Sequence, residues 1–216
     1  SLRLEGQDTA GAVLLTDERW RRRPVGLVSG RAAGEQPLLS DLYYLERALS
    51  PYAELRKGEI GELLDRTLSV LILADVGSLT EAEMARLQSW IEGGGVLLRF
   101  AGPRLAQNAD ALIAVPLRAG GRALGGALSW ATPAGLSPFA EDSPFHGLTV
   151  PADVTVKRQV LAEPGIDLAP RTWARLAVGT PLVTAERRGR GALVLVHSSA
   201  GPDWSILARS GLYVVR

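Results

Sequence analysis

The sequence predicts an α/β fold built on a doubly wound, mostly parallel sheet, with a β-rich insertion or flank. Three observations carry this. The segment Ser69 to Leu105, SVLILADVGSLTEAEMARLQSWIEGGGVLLRFAGPRL, reads without interruption as strand, capped helix, glycine turn and strand. Its two strands, Val70 to Ala74 and Val96 to Phe100, are nearly all apolar, as expected where helices cover both faces of a parallel sheet. Strand and helix patterns alternate upstream of this unit, and a further apolar strand returns near the end of the chain.

In chain order, Leu2 to Glu5 and Ala12 to Leu15 are short apolar runs separated by a glycine-bounded polar stretch, a spacing that suits a hairpin. Arg19-Trp20-Arg21-Arg22-Arg23 is the densest basic run; one short run in a near-neutral chain reads as a solvated turn rather than a phosphate contact. Val25 to Val28 is the first core strand, closed by Ser29-Gly30. Leu38, Leu42, Leu45 and Leu49 recur at helical spacing from Pro37 to Ser50, and Pro51 stops that helix. Tyr52 to Leu55 is a short strand, and Ile60, Leu63, Leu64 and Leu68 mark a second helix.

Thr80-Glu81-Ala82-Glu83 is a capping-box pattern, in which the threonine hydroxyl accepts from the amide three residues on and Glu83 reaches back. Met84, Leu87 and Ile91 form the buried stripe of this third helix, and Gly93-Gly94-Gly95 supplies a left-handed exit. A further helix is expected from Arg104 to Ile113. The glycine-rich stretch Gly120 to Gly126 then breaks the alternation. Val154, Val156 and Val160 alternate with polar residues as a half-exposed strand does, and Leu182 to Ala185 is expected to pair with Ala192 to Val196 across Arg187-Arg188-Gly189-Arg190-Gly191. The resulting organisation is a β lead-in (1–24), the first part of an α/β core (25–115), a β-rich insertion or flank (116–190), and a final core strand with a C-terminal segment (191–216).

Composition narrows function mainly by exclusion. The chain has 216 residues, 46% hydrophobic and 22% charged, as in an ordinary globular protein, and no apolar run long enough to span a bilayer. Its 24 basic and 23 acidic residues leave a formal charge of +1, so no global field draws it to nucleic acid or anionic membrane. Without cysteine there is no disulfide, thiolate nucleophile or thiolate metal site, and two histidines lacking metal-ligand spacing argue against zinc. Neither glycine-rich segment fits a dinucleotide fingerprint or phosphate loop, so no cofactor is expected. The first residues carry no initiator methionine and no signal-like pattern, and the last form an apolar run. These ends lead us to expect an excised segment of a longer protein.

The strand LILAD, the helix after it, GGGVLLRFAG and the late strand ALVLVHS together resemble the class I glutamine amidotransferase-like fold, a flavodoxin-like doubly wound sheet. PLLSDLYYLERALSP, GGGVLLRFAGPRLA and GTPLVTAERRGRGALVLVHSSAGPDWSILARSGLYV resemble the ectodomain of BatA-like bacterial membrane proteins, which carry an N-terminal pair of transmembrane helices. The second resemblance implies a parent anchored in the inner membrane, with this segment soluble and on the periplasmic side. It implies a protein partner, or other domains of the same parent, and contact with the membrane only through segments outside this chain.

The amidotransferase resemblance supports the fold and argues against the activity. That family sets a cysteine in a G-x-C-x-G elbow, where a sharp turn exposes the thiolate beside oxyanion-stabilising amides. The corresponding segment here is Leu98-Arg99-Phe100-Ala101-Gly102, with Phe100 in place of the nucleophile. The family's His-Pro-Glu, in which the glutamate orients the histidine base, corresponds to His197-Ser198-Ser199. Glutamine hydrolysis by that mechanism therefore has neither nucleophile nor orienting acid.

In open α/β sheets ligands bind at the carboxyl ends of the strands, which places Ser29, Gly30, Asp75, Ala101, Gly102 and His197 near one rim. Asp75 and His197 are the candidate catalytic pair, since an aspartate can fix an imidazole tautomer for general acid-base work; their plainer uses are a helix cap and a structural histidine. Ser29, Arg99, Gly102 and Arg104 are the candidate ligand-binding residues, the arginines through bidentate grip of a carboxylate or phosphate. An internal salt bridge is the plainer use of an arginine there. Trp173 and Trp204 read as packing residues or as partner anchors. The leading expectation is a catalytically inactive binding or assembly module of the cell envelope. The alternatives are a hydrolase using Asp75 and His197, and a small-ligand sensor using Arg99 and Arg104.

Overall fold

The capping box that opens the third predicted helix forms as the sequence requires. In a computed structural model, which describes residues 2–3, 13–14, 23–30, 41–118, 127–150 and 153–207, Thr80 Oγ1 accepts from the Glu83 amide at 3.2 Å and Glu83 Oε2 accepts from the Thr80 amide at 2.8 Å. Two of the four orphan amides of the first turn are thereby satisfied. The helix so started packs Leu87 and Ile91 into the core. It exits through Gly94 at φ +120°, directly after the C-cap residue Gly93, which keeps right-handed helical geometry.

The elements in chain order are β1 (Leu2–Arg3), β2 (Val13–Leu14), β3 (Arg23–Ser29), α1 (Asp41–Leu49), β4 (Ala53–Lys57), α2 (Ile60–Leu64), β5 (Val70–Ala74), α3 (Glu81–Glu92), β6 (Val96–Phe100) and α4 (Pro103–Gln107), followed by β7 (Ala127–Gly135), β8 (Thr155–Val160), β9 (Thr172–Arg175), β10 (Pro181–Arg188) and β11 (Gly191–Val196). Seven strands form the central sheet in the order β4-β3-β5-β6-β11-β10-β9. The first five run parallel, while β10 and β9 are antiparallel additions at one edge. β1 pairs with β2 as the expected lead-in hairpin, and β7 pairs with β8 in a separate two-stranded sheet. Residues 116–190 thus supply both the β7–β8 sheet and two strands of the central one.

The sheet is wound on both faces. One face packs Leu71, Leu73, Leu97, Leu193 and Leu195 against α2, α3 and α4 in a single buried cluster. The other packs Leu27, Ile72, Phe100 and Val196 against α1 and the inner side of the β-rich region. Along the parallel strands the period-two alternation of side chains assigns neighbouring residues to opposite clusters.

The β10–β11 pairing matches its expectation, with Val183 opposite Val196 and Arg188 opposite Gly191. The turn is tighter than expected: Arg187 and Arg188 stay in the strand, and Gly189 at φ +60° takes the first central position of a two-residue loop. The helix expected over 104–113 is shorter, because α4 ends at Gln107. Beyond it, Asp110 Oδ1 folds onto the Leu112 amide at 2.8 Å and receives Arg99 Nη1 at 2.6 Å, so this stretch serves side-chain hydrogen bonds instead of a helical ladder. Residues 37–40 of the first expected helix, Arg19 to Arg22 of the basic run and the glycine-rich stretch 120–126 lie outside the described residues.

Candidate functional site

The rim at the carboxyl ends of the parallel strands is where such a sheet presents its chemistry. Asp75, directly after β5, has φ +50°, the only positive value outside glycine among the described residues, and is 4% exposed. Its Oδ1 accepts from the amides of Arg104 at 3.1 Å and Leu105 at 3.0 Å, which are the first-turn donors of α4. The N-cap residue of α4 is Gly102, which has no side chain to offer. Asp75 supplies that cap from a different strand, and its negative charge complements the positive end of the helix. The fit is close: a Cβ on Gly102 would lie 2.5 Å from Asp75 Cγ, and one on Gly30 would collide with the Asp75 carbonyl oxygen. Ser29, half-buried at the end of β3, stands beside this knot through the Gly30 amide, which donates to Ala74 O at 3.0 Å.

His197 follows β11 and is fully buried. Nδ1 lies 2.9 Å from the Val160 carbonyl and Nε2 lies 3.0 Å from Thr184 Oγ1. A carbonyl only accepts, so Nδ1 carries the proton and Nε2 receives the threonine hydroxyl. Burial lowers the imidazole pKa from 6.5 to about 4, against a smaller opposing effect of the Val160 carbonyl. The ring is neutral and both nitrogens are occupied, so Asp75 and His197 do not form the acid-base pair. Each does the plainer work: one caps a helix and the other ties β11 to β10 and β8.

The two candidate arginines diverge. Arg99, on β6 with its side chain 1% exposed, donates through Nη1 to Asp110 Oδ1 and to the Leu112 carbonyl at 3.2 Å, and through Nη2 to the Val76 carbonyl at 2.9 Å. It is held inside the protein as an internal salt bridge. Its Nε and Asp110 Oδ2 are buried without partners. Arg104 sits on α4; its backbone amide serves Asp75, while its guanidinium has no hydrogen bond or ion pair among the described residues. Gly102 is consumed by the cap. Phe100, at the position of the missing nucleophile, is 8% exposed and directed into the α1-side cluster, away from the rim. No group of acidic residues and histidines among the described residues could hold a metal ion.

Sequence reasoning missed the open ground on the α1 side of the sheet. A cavity of about 200 Å³ lies there, with α1 as one wall and Phe145 and Leu207 as the other. A second, of about 490 Å³, sits near the amino ends of β6 and β11 beside Trp173 and the arginines of the β10–β11 turn. Trp173 therefore faces a cavity, whereas Trp204 is buried in the opposite cluster. No local motif marks this ground, because its floor is made of residues that read as ordinary core strand. The signal lies in the register of β10 on β11, which sets arginine and alanine side by side.

No protein-family model matches the sequence, and no curated protein matches it. Solved structures do. A cytoplasmic protein from Salmonella typhimurium superposes with a TM-score of 0.62 at 12% identity, over 89% of this chain and 96% of that one. A ThuA-like protein from Parabacteroides merdae gives 0.58 at 11% identity, over 90% and 88%. A β-galactosidase from Rahnella sp. R3 gives 0.55 at 11% identity, over 89% of this chain but only 30% of that one. At such identities the likeness concerns the fold, which is the glutamine amidotransferase-like α/β fold of the ThuA-like protein. No helix among the described residues is long and apolar enough to cross a membrane.

Proposed function

We propose that this chain is a non-catalytic binding and assembly module on a glutamine amidotransferase-like fold, working within a membrane-anchored bacterial envelope protein and on its periplasmic side. The observation that carries the non-catalytic part is the use made of the rim. Asp75 caps α4, His197 is buried between Val160 and Thr184, and Arg99 is paired internally with Asp110. Polar groups so engaged are poor candidates for proton transfer, which needs a group within reach of substrate and free to change its protonation. The fold is found both as nearly the whole of one neighbour's chain and as under a third of another's, which is consistent with modular use. Anchoring and side rest on the sequence resemblance to BatA-like ectodomains, and the partner is another protein or other domains of the parent chain.

The test is a panel of glutaminase, esterase, phosphatase and glycosidase substrates, run with the wild type and with Asp75→Asn. No turnover above buffer is expected from either. Turnover that disappears in a folded Asp75→Asn variant would overturn the non-catalytic reading. For anchoring, the parent protein should sediment with inner membranes and be cut by protease added to spheroplasts; recovery in the cytosolic fraction would refute it.

A further inference from the structure

The two cavities on the α1 side adjoin, and the strand register shows how. Val96 lines both. Across the sheet at that level Arg187 pairs with Ala192, Ala192 with Val96, and Val96 with Val70. One step towards the carboxyl ends, Ala185, Val194, Leu98 and Ile72 form the next row of the same face. The first cavity is lined only by apolar residues. The second opens beside Trp173 and carries Arg171, Arg187 and Arg190 against a single acid, Glu186. Ala185 and Ala192 line the second cavity, in the same cross-sheet rows as Val194 and Val96 of the first.

The charges at the basic end are not balanced. Glu186 is shared between Arg171 at 3.4 Å and Arg188 at 3.2 Å, and Arg171 also donates to the Ala114 carbonyl at 2.9 Å, so both of these arginines are engaged. Arg190 donates to the Gly93 carbonyl, which has no negative charge to offset. Arg187 is exposed and has no hydrogen bond or ion pair among the described residues. The face is thus a dry floor with a cationic end. An apolar cavity of roughly 150 Å³ already takes benzene, and this one, at about 200 Å³, is larger and shares Val96 with the basic cavity beside it.

We propose that this face binds a single-chain amphiphile with an anionic head, its alkyl chain lying over Val70, Val96 and Leu98 and its head group held by Arg187. A carboxylate or sulfate head meets a guanidinium through charge-assisted hydrogen bonds, and Trp173 covers the first carbons. This ligand class rests on the binding-module reading and adds a chemical identity to it.

The test is isothermal titration of the purified chain with decanoate, octanoate and decyltrimethylammonium, each below its micelle concentration. Decanoate should bind, octanoate roughly tenfold more weakly because two methylenes fewer are buried, and the cationic analogue at least about tenfold more weakly than decanoate. Arg187→Glu should weaken decanoate by about tenfold, and Ala192→Phe, which sets a ring beside the shared Val96, should abolish binding. Equal affinity for the two head groups, no effect of Arg187→Glu, or no binding of decanoate would overturn the proposal. If Ala192→Phe does not fold, the Arg187→Glu and head-group comparisons still decide it. A concentration-dependent dimer that decanoate fails to dissociate would give the face to a second copy and overturn it too. Failure of decanoate with a silent substrate panel removes this ligand and leaves the module reading standing. Turnover in that panel removes the module reading whatever decanoate does.

Discussion

Leu97 and Leu98 are consecutive residues of β6, yet they face opposite sides of the sheet and differ in burial. Leu97 is fully buried in the cluster that contains Leu87 and Ile91 of α3 and Leu105 of α4. Leu98, pointing the other way, is only half-buried and lines the apolar cavity beside α1. Among the described residues the sealed face has three helices against it, whereas the α1 face has one helix and the inner side of the β-rich region. An unbroken apolar strand is compatible with both outcomes. What separates structural core from binding ground is how much cover the connections supply, and that is decided far from the strand itself.

The strongest way to break this contrast is through the charge buried on the sealed side. Asp110→Ala leaves Arg99 without its counter-ion in a site where its side chain is 1% exposed. Removing one partner of a buried ion pair costs about 3 to 5 kcal/mol, because the remaining charge is neither solvated nor paired. Urea denaturation should show that loss, and the double variant Arg99→Met with Asp110→Ala should recover most of it. Recovery failing would mean that Arg99 contributes through its carbonyl contacts more than through its charge.

The contrast itself is measured by truncating neighbours. Leu97→Ala should cost about 3 to 4 kcal/mol, the loss of a fully buried leucine plus a cavity in a packed environment. Leu98→Ala should cost only about 1 to 2 kcal/mol, since part of its surface already borders open space. Equal losses in equilibrium unfolding would show that the two faces are closed alike, and the binding proposal for the α1 face would lose its foundation.

The same contrast explains what could be read from the sequence. The βαβ unit, its capping box and the β10–β11 pairing follow from periodicity and turn chemistry, which act over a few residues. The early end of α4 was not legible, because the residues that stop the helix are recruited by Arg99, whose partners are 11 and 13 residues away. Asp75 was placed correctly at a strand tip, but its duty as a cap depends on a glycine 27 residues later that leaves the helix without a cap of its own. The groove was invisible for a related reason. Val70, Val96 and Val194 look like core until the cover over them is known, and Arg187 becomes informative only when register sets it opposite Ala192.

Acid offers a third and smaller discrimination, because the sealed side ends at a titratable group. The His197 pKa is lowered from 6.5 to about 4 by burial, so between those values the unfolded chain binds a proton that the folded chain refuses. Stability contributed by neutral His197 is complete above pH 6.5 and declines as pH falls, by about 2 kcal/mol at pH 5 and about 3 kcal/mol at pH 4. Thermal unfolding between pH 7 and pH 5 should show the decline, and His197→Gln, which retains one donor and one acceptor, should flatten it. A wild-type profile without slope in that window would mean that the ring is reached by water. Decanoate affinity, which depends on arginines, should not follow this titration.

The smallest expected effect is the most pointed, because it separates stability from binding on the open face. Val96→Thr keeps shape and volume while replacing a methyl with a hydroxyl at the one residue shared by the two cavities. On a sealed face the buried hydroxyl would want a partner and cost about 1 to 3 kcal/mol. Here the hydroxyl faces space that water can enter in the unliganded protein, so the loss of stability should stay under about 1 kcal/mol. Binding should respond in the opposite proportion, since an alkyl chain laid over the same position would displace that water and leave the hydroxyl unsatisfied. A variant that unfolds as the wild type does but binds decanoate about tenfold more weakly would tie the ligand to this floor. A variant that loses stability and keeps its affinity would place the chain elsewhere on the sheet.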